Sequence, residues 1–247
     1  MKLQDLLRIT EGFHETSTIT NLKDHSITFA KDQAWFEKLF NTCYEVYTIV
    51  PRGKLFMPDN KELLARIRPI AVNNPLYVFI TLHNEINKGK TPKRNVIGDN
   101  VKIDESAIIG AEGMRWQKLD GRLIKMRHMG NVVLQDGVEV GPLSVIHRGT
   151  IDSTIIGSNT KIGSNNSIGH NVQIGSNVMI TAGVVIAGSV RIDNNCWIGI
   201  NSSIRDNIRI HANVRVGMGA VVTRNLTAPG TYVGCPATRI GEWDGSL

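Results

Sequence analysis

From Ile156 to Val222 a large aliphatic residue falls on every sixth position, twelve times in succession. A period of six belongs neither to the 3.6-residue α-helix nor to the two-residue alternation of a half-buried strand. It marks a solenoid in which each hexapeptide adds one short strand and one corner. The residue after each aliphatic is usually Gly or Asp, as at Gly157, Gly169 and Asp193, and the fourth residue after it is small or aliphatic, as at Thr160, Val172 and Cys196. The aliphatic therefore points inward, and the Gly or small polar residue behind it is expected to turn the corner at positive φ. This is the hexapeptide pattern of a left-handed parallel β-helix. Three hexapeptides close one coil, so residues one coil apart stack at the strand spacing of roughly 4.8 Å. Looser turns precede the run at Ile97, Ile103 and Ile109 and at Leu134, Val140 and Ile146. A long excursion follows Ile109, and a ten-residue step separates Ile146 from Ile156 where six is expected.

Ten of the fourteen aromatic residues precede residue 95, whereas twenty-one of the twenty-four glycines follow it, so two regions are built by different rules. In the first, SITF and YEVYTIV read as strands with AWFEKLF as a short helix between them. Asn74-Pro75 opens a helix over LYVFITLHNEI, because proline suits a first helical position. The expected organisation is a small α+β domain over 1–92, the β-helix over 93–226 and a tail over 227–247. A hydrophobic content of 41% excludes a disordered chain. No apolar run approaches the roughly 18 residues of a membrane helix. The opening MKLQDLLRITEGF has neither an h-region nor a small-residue cleavage site, so a cytoplasmic protein is expected. Cys43, Cys196 and Cys235 form no C-x-x-C pair, which argues against a disulfide framework and a zinc knuckle. The net charge of +6 favours polyanionic ligands. The one dense basic run, Lys88, Lys90, Lys93 and Arg94, lacks an interleaved aromatic for a base to stack on. It reads as a solvated linker, and no nucleic acid is expected as a partner.

A β-helix buries its interior, which leaves outer faces, loops and subunit contacts for function. His170 stands at an outward corner, and Gly188 follows it by one unbroken coil, which puts an amide donor one strand spacing from an imidazole. Acyl transfer uses that pair: a base takes the nucleophile's proton, and an amide stabilises the tetrahedral oxyanion. Taken alone, His170 also reads as a solvated surface histidine. The excursion from Ala111 to Asn131 carries Arg115, Trp116, Lys118, Arg122, Lys125, Arg127 and His128. It reads either as a cationic flap over a nucleotide or phosphopantetheine, or as a solvated Ω-loop. Cys196 occupies an inward small-residue position and reads as packing, and Asn166, at the equivalent position, is expected in a buried amide ladder. A zinc hydratase on this fold needs three convergent histidines, but His147, His170 and His211 occupy different corners, so no metal is expected. A non-catalytic scaffold would need no base in register with a glycine. In the last coils Gly217 and Gly219 permit close backbone approach, and Arg215, Arg224 and Arg239 suit the phosphates of an anionic cofactor.

Residues 130–190, above all the segments HRGTIDSTIIG and IGHNVQIG, resemble the hexapeptide-repeat N-acyltransferases of nucleotide-linked amino sugars. Within that group they look like the UDP-3-O-acylglucosamine N-acyltransferases of lipid A biosynthesis. ITNLKDHSITFAKDQAWFEKL and IAVNNPLYVFITLHNEI resemble the small uridine-recognising domain of the same enzymes. The resemblance implies a homotrimer with active sites between neighbouring prisms. It implies His170 as general base, Gly188 as oxyanion donor, and Phe29 and Trp35 as the aromatic pair around a pyrimidine of the nucleotide sugar. The family's acid lies seven residues before the base, where this chain has Gly163, and Asp152, one coil length before His170, is the substitute. His147-Arg148-Gly149 stands where the family has Asp-Arg-Gly, with His147 a candidate substrate contact, as is Trp116 of the excursion if that loop covers a nucleotide, and Asn207 stands near the family's second histidine. APGTYVGCPATRI resembles the closing segment of hexapeptide acetyltransferases that use coenzyme A. The short stretch after Val222, with Pro229 and Pro236, is expected to exclude the helical extension that the lipid A enzyme uses for acyl carrier protein. The implied co-substrate is an acyl-CoA carrying acetyl or a short hydroxyacyl group, with no tightly bound cofactor. Carrier-protein-dependent N-acylation and sugar O-acetylation are the alternatives.

Overall fold

The computed structural model describes residues 15–17, 23, 26–30, 32–39, 44–53, 59–119 and 121–245. The chain divides into two compact units, Met1–Thr91 with Arg115–Arg127, and Pro92–Met114 with His128–Leu247.

Among the described residues the first unit holds a sheet of four parallel strands in sequential order, β1 (Glu15–Thr16), β2 (Ser26–Phe29), β3 (Val46–Pro51) and β4 (Pro69–Val72). Helices α1 (Gln33–Glu37), α2 (Lys61–Ile67) and α3 (Pro75–Ile86) alternate with the strands. Each begins where a side-chain oxygen accepts a first-turn amide: Asp32 from Trp35, Asn60 from Leu63 and Asn74 from Tyr77. Pro75 occupies the first turn of α3, where its missing N–H costs nothing. Ile27, Phe36, Leu39, Ile49, Ile67 and Leu82 are fully enclosed.

The excursion is neither an open flap nor a solvated loop. Trp116–Leu119 and Arg122–Lys125 form an antiparallel hairpin with Trp116 opposite Lys125, and Gly121 takes φ +77° in its turn. Asn84 of α3 fastens it, donating to the Lys125 carbonyl at 2.8 Å and accepting from the Arg127 amide at 3.0 Å. The Arg127 guanidinium donates to the carbonyls of Asn87 and Lys90. That charge satisfies the end of α3.

The second unit is a left-handed parallel β-helix of three sheets with six, eight and six strands. Its interior is the aliphatic column of the repeat, with Leu134, Ile146, Ile156, Ile168, Ile180 and Val222 at 0% exposure. Residues 230–241 add two more strands to one face, Gly230–Val233 parallel to Val214–Val216 and Thr238–Gly241 antiparallel to the first.

The corner chemistry differs from the expectation. Positive φ falls on the third residue after each aliphatic, not the first, and that residue is usually Asn: Asn159, Asn165, Asn171, Asn177, Asn195, Asn201, Asn207 and Asn213 lie between φ +56° and +60°. Asparagine tolerates the left-handed region better than other residues with a side chain. The glycine directly after the aliphatic serves close approach instead. A β-carbon on Gly157 would lie 2.4 Å from the carbonyl carbon of Gly175 in the next coil, and one on Gly169 would lie 2.7 Å from that of Ala187. Asn166 joins no amide ladder: its Oδ1 accepts the Val184 amide at 2.8 Å.

Candidate active site

Both interruptions of the repeat fall at one corner of the coil. Val132 pairs with Thr154, whereas Ile155 pairs with Gln173 eighteen residues on, so four extra residues lie between His147 and Thr154. The excursion leaves the same corner one coil earlier, between Ala111 and Val132. His170 and Gly188 occupy this corner in the next two coils, because Ser167 pairs with Val185. The insertion is stitched to the excursion by Met129 N–H to the Thr150 carbonyl at 2.8 Å and Gly130 N–H to the Gly149 carbonyl at 3.0 Å. Glycine is required at both 130 and 149, where a β-carbon would sit 2.3 Å and 1.6 Å from the Asp152 carbonyl oxygen.

The His170 ring is held on several sides. Its Nδ1 lies 3.0 Å from Asn171 Oδ1. The identity of that oxygen is fixed by the inserted corner, since the Thr150 backbone N–H, which can only donate, reaches the same atom at 3.1 Å. An amide oxygen only accepts, so Nδ1 carries a proton, and in the neutral ring Nε2 has the lone pair. Nε2 and Cε1 both lie 2.7 Å from where a β-carbon of Gly188 would be, so the ring lies against the bare α-carbon. The Gly188 N–H donates no hydrogen bond among the described residues. A basic nitrogen beside an available amide donor is the arrangement acyl transfer uses.

The ring also meets His128 edge to face, with centroids 5.2 Å apart. Glu112 adjoins His128, its Oε1 accepting the His128 amide at 3.2 Å. Contrary to the expectation of different corners, His147 ends the strand Val145–His147 at the corner of His170, one coil earlier; it is half-buried, and burial lowers its pKa, partly opposed by the Glu112 backbone. Asp152 is half-exposed on the insertion, and its carbonyl is 3.5 Å from Asn171 Nδ2. Cys196 packs in the core with its thiol directed at the His211 carbonyl, and burial pushes it up to about 11, too weakly acidic for a nucleophile. Among the described residues no group of three or more His, Cys, Asp or Glu could hold a metal ion.

The remaining expected residues are distributed over both units. Phe29, Trp35 and Trp116 belong to the first unit. Phe29 and Trp35 pack on each other with centroids 5.7 Å apart, and Phe29 also meets Phe79 at 4.9 Å. Trp116 stacks with Lys125 of its own hairpin at 5.8 Å. Arg215 lies over Trp197 at 5.7 Å, Gly217 follows it against Val233, and Gly219 turns its corner at φ +67°. Arg239 is occupied by Glu242 and by the Pro229 carbonyl. Arg224 stands at the base's own corner, three coils on. Three site residues carried no signal of their own in sequence. Asn171 is one corner Asn among many, and Glu112 and His128 stand at opposite ends of the excursion.

Residues 153–188 and 189–224 match the model of the bacterial transferase hexapeptide, six repeats. This stretch carries that repeat. A UDP-3-O-acylglucosamine N-acyltransferase from Idiomarina loihiensis is 40% identical over 65 residues, 26% of this chain and 19% of that protein. One from Delftia acidovorans is 30% identical over 138 residues, 56% of this chain and 41% of that protein. The chain thus spans between a fifth and two fifths of the length of these two relatives. Among solved structures, a UDP-N-acetylglucosamine acyltransferase from Francisella novicida superposes with a TM-score of 0.54 at 26% identity, covering 60% of this chain and 53% of the other. Another from Bacteroides fragilis superposes with a TM-score of 0.54 at 21% identity, covering 62% and 58%. That likeness is one of fold.

Proposed function

We propose that this chain is an acyltransferase that moves an acetyl or short hydroxyacyl group from a CoA thioester to the amino group of a nucleotide-linked amino sugar. The observation that carries the reading is the placement of the His170 ring, with Nδ1 3.0 Å from Asn171 Oδ1 and Nε2 turned to the Gly188 corner. His170 Nε2 takes a proton from the amine as its nitrogen bonds to the thioester carbonyl carbon. The carbonyl oxygen becomes an oxyanion, to which the Gly188 N–H donates. The C–S bond then breaks as the carbonyl re-forms, and the proton on His170 passes to the leaving thiolate. Asp152 and His147 flank this centre as acid and substrate contact, and Phe29, Trp35 and Trp116 serve the nucleotide. A homotrimer in the cytoplasm is part of the same reading; among the described residues no helix is long and apolar enough to cross a membrane.

The names of the relatives support a second reading, N-acylation of UDP-3-O-acylglucosamine; the sequence resemblance implies acyl carrier protein as the donor in that case. The deciding experiment incubates the purified chain with acyl-CoA thioesters, acylated carrier protein and a panel of nucleotide amino sugars. Thiol release matched by a new amide in the mass spectrum supports acyl transfer. His170→Ala is expected to lose about 10² to 10⁴ in turnover while donor and acceptor still bind. Near-normal turnover in that variant removes His170 as the base.

A further inference from the structure

His128 reaches the candidate base from a part of the chain that no hexapeptide supplies. It closes the excursion, its side chain is 0% exposed, and its ring meets that of His170 at 72° with centroids 5.2 Å apart. Gly113, at the opposite end of the excursion, makes the room. A β-carbon there would lie 2.9 Å from His128 Nε2 and 3.2 Å from His170 Cβ. Glu112, beside that glycine, accepts the His128 backbone N–H at 3.2 Å, and its carboxylate lies 3.8 Å from the His128 Nδ1, beyond hydrogen-bonding distance. The two ends of the excursion are thus tied together against the base, while position 163 presents only a glycine.

We propose that His128 and Glu112 are positioning residues for His170: the His128 ring braces the imidazole with Nε2 toward Gly188, and the Glu112 carboxylate compensates the proton that His170 takes up. The proposal rests on the reading of His170 as the base. An imidazole that becomes imidazolium in the reaction is favoured by a carboxylate one ring away. The other charged or titratable groups at this corner are His147 on the adjacent strand, Arg148 and Asp152 on the insertion, and Asp206 and Arg224 two and three coils on. Arg148 turns its Nε to the Gly110 carbonyl at 2.7 Å, and burial lowers the pKa of His147. All five are retained in the variants below.

The test is nitrogen-resolved NMR of the His170 imidazole in the full chain without substrates. It compares the natural protein with Glu112→Gln, Glu112→Asp and His128→Gln. The Glu112 side chain is 40% exposed, so its variants should fold normally. Glu112→Gln is expected to lower the His170 titration midpoint by about half a unit to one unit, with Glu112→Asp in between. His128→Gln leaves the Asn171 acceptor in place and should keep the His170 tautomer, but lower kcat about tenfold with KM for both substrates unchanged. In turnover, Glu112→Gln should lose about tenfold in kcat with KM for both substrates unchanged. An unmoved midpoint in Glu112→Gln overturns the proposal whatever happens to activity, as does an unchanged kcat in a folded His128→Gln. The base itself is tested separately. Full turnover in His170→Ala removes the reading and this proposal with it, whereas an inactive His170→Ala with an unmoved titration removes the proposal alone.

Discussion

The His170 imidazole occupies the space that a β-carbon on Gly188 would fill, with Nε2 and Cε1 each 2.7 Å from that position. The obstructed group is a side chain that can rotate away, so Gly188→Ala should cost only about 1 kcal/mol of stability. The displaced ring would lose its alignment with the amide beside it, and a misplacement of about 1 Å can cost about 10² in rate. The expected outcome is a near-native melting temperature with kcat reduced about a hundredfold. Unchanged kcat in the folded variant would separate Gly188 from the chemistry.

Asn171→Gly isolates the tautomer lock. Asn171 sits at φ +60°, which glycine adopts without strain, so the corner persists while the acceptor for His170 Nδ1 disappears. Turnover should fall at least about tenfold, because a base presenting the wrong nitrogen is inactive. The check is kcat together with the nitrogen chemical shifts of His170; a retained Nδ1–H signal at full activity would count against the lock.

The register of His170 and Gly188 is legible in sequence because no interruption separates them, so counting eighteen residues is enough. The corner rule is harder to read because two needs of the fold compete for one residue type. Glycine after the aliphatic clears the next coil's backbone, whereas the left-handed residue two places on is satisfied by asparagine, as Gly169 and Asn171 illustrate. The excursion hides more. Asp120-Gly121 between WQKL and RLIK is a hairpin signal, but the density of cations around it points equally to a phosphate-binding loop. Glu112 and His128 come together by loop closure, which has no period to read. In the first unit, KELLARI and PIAV are too short for periodicity to declare a helix and a strand, and their neighbours in the sheet decide them.

His83 gives the first unit a pH-dependent stability. Its ring is enclosed between Thr16 Oγ1 and the Arg127 carbonyl, and burial lowers its pKa from 6.5 to about 4. The unfolded chain therefore binds a proton that the folded chain refuses. Stability is full above the unfolded value of 6.5 and is lost as pH falls from there through about 4. At pH 5 the loss relative to neutral should be about 2 kcal/mol, and His83→Gln should flatten that dependence. Denaturant unfolding at the two pH values measures it; equal slopes in both proteins would rule His83 out as the cause.

Phe29 and Trp35 stand closer than a sandwich allows. Their centroids are 5.7 Å apart and their planes are tilted by 39°, whereas a base between two parallel rings needs roughly 7 Å. A pyrimidine must then stack on the half-exposed Trp35 from outside the pair or separate the rings on binding. Either way Trp35→Ala should raise the nucleotide-sugar Kd about tenfold. Titration calorimetry with the folded variant checks this, and an unchanged Kd would move the acceptor off the first unit.

The donor prediction follows from the column of corner residues that the register builds. Ser167, Val185, Ser203 and Val221 pair in succession, so His170, Gly188, Asp206 and Arg224 occupy equivalent corners of successive coils. Arg224 is then three strand spacings from the base, roughly 14 Å along the edge. Of the three arginines expected to meet phosphate, Arg239 is already paired with Glu242, and Arg215 lies over Trp197 on another sheet. Arg224 is the one on the base's edge. A thioester held at His170 with an anionic arm running along this edge would reach it, and removing a charge-assisted hydrogen bond there costs about 1.5 kcal/mol, roughly tenfold in Kd. Arg224→Ala should therefore weaken acyl-CoA binding about tenfold, whereas Arg239→Ala should leave it nearly unchanged. Asp206 lies between base and arginine and repels an anionic arm, so Asp206→Asn should tighten binding. Because salt screens exposed charge, affinity in the natural protein should fall as salt rises, with a shallower slope in Arg224→Ala. Should no CoA thioester bind while acylated carrier protein supports turnover, the donor is the carrier protein, and the lipid A-type reading takes precedence.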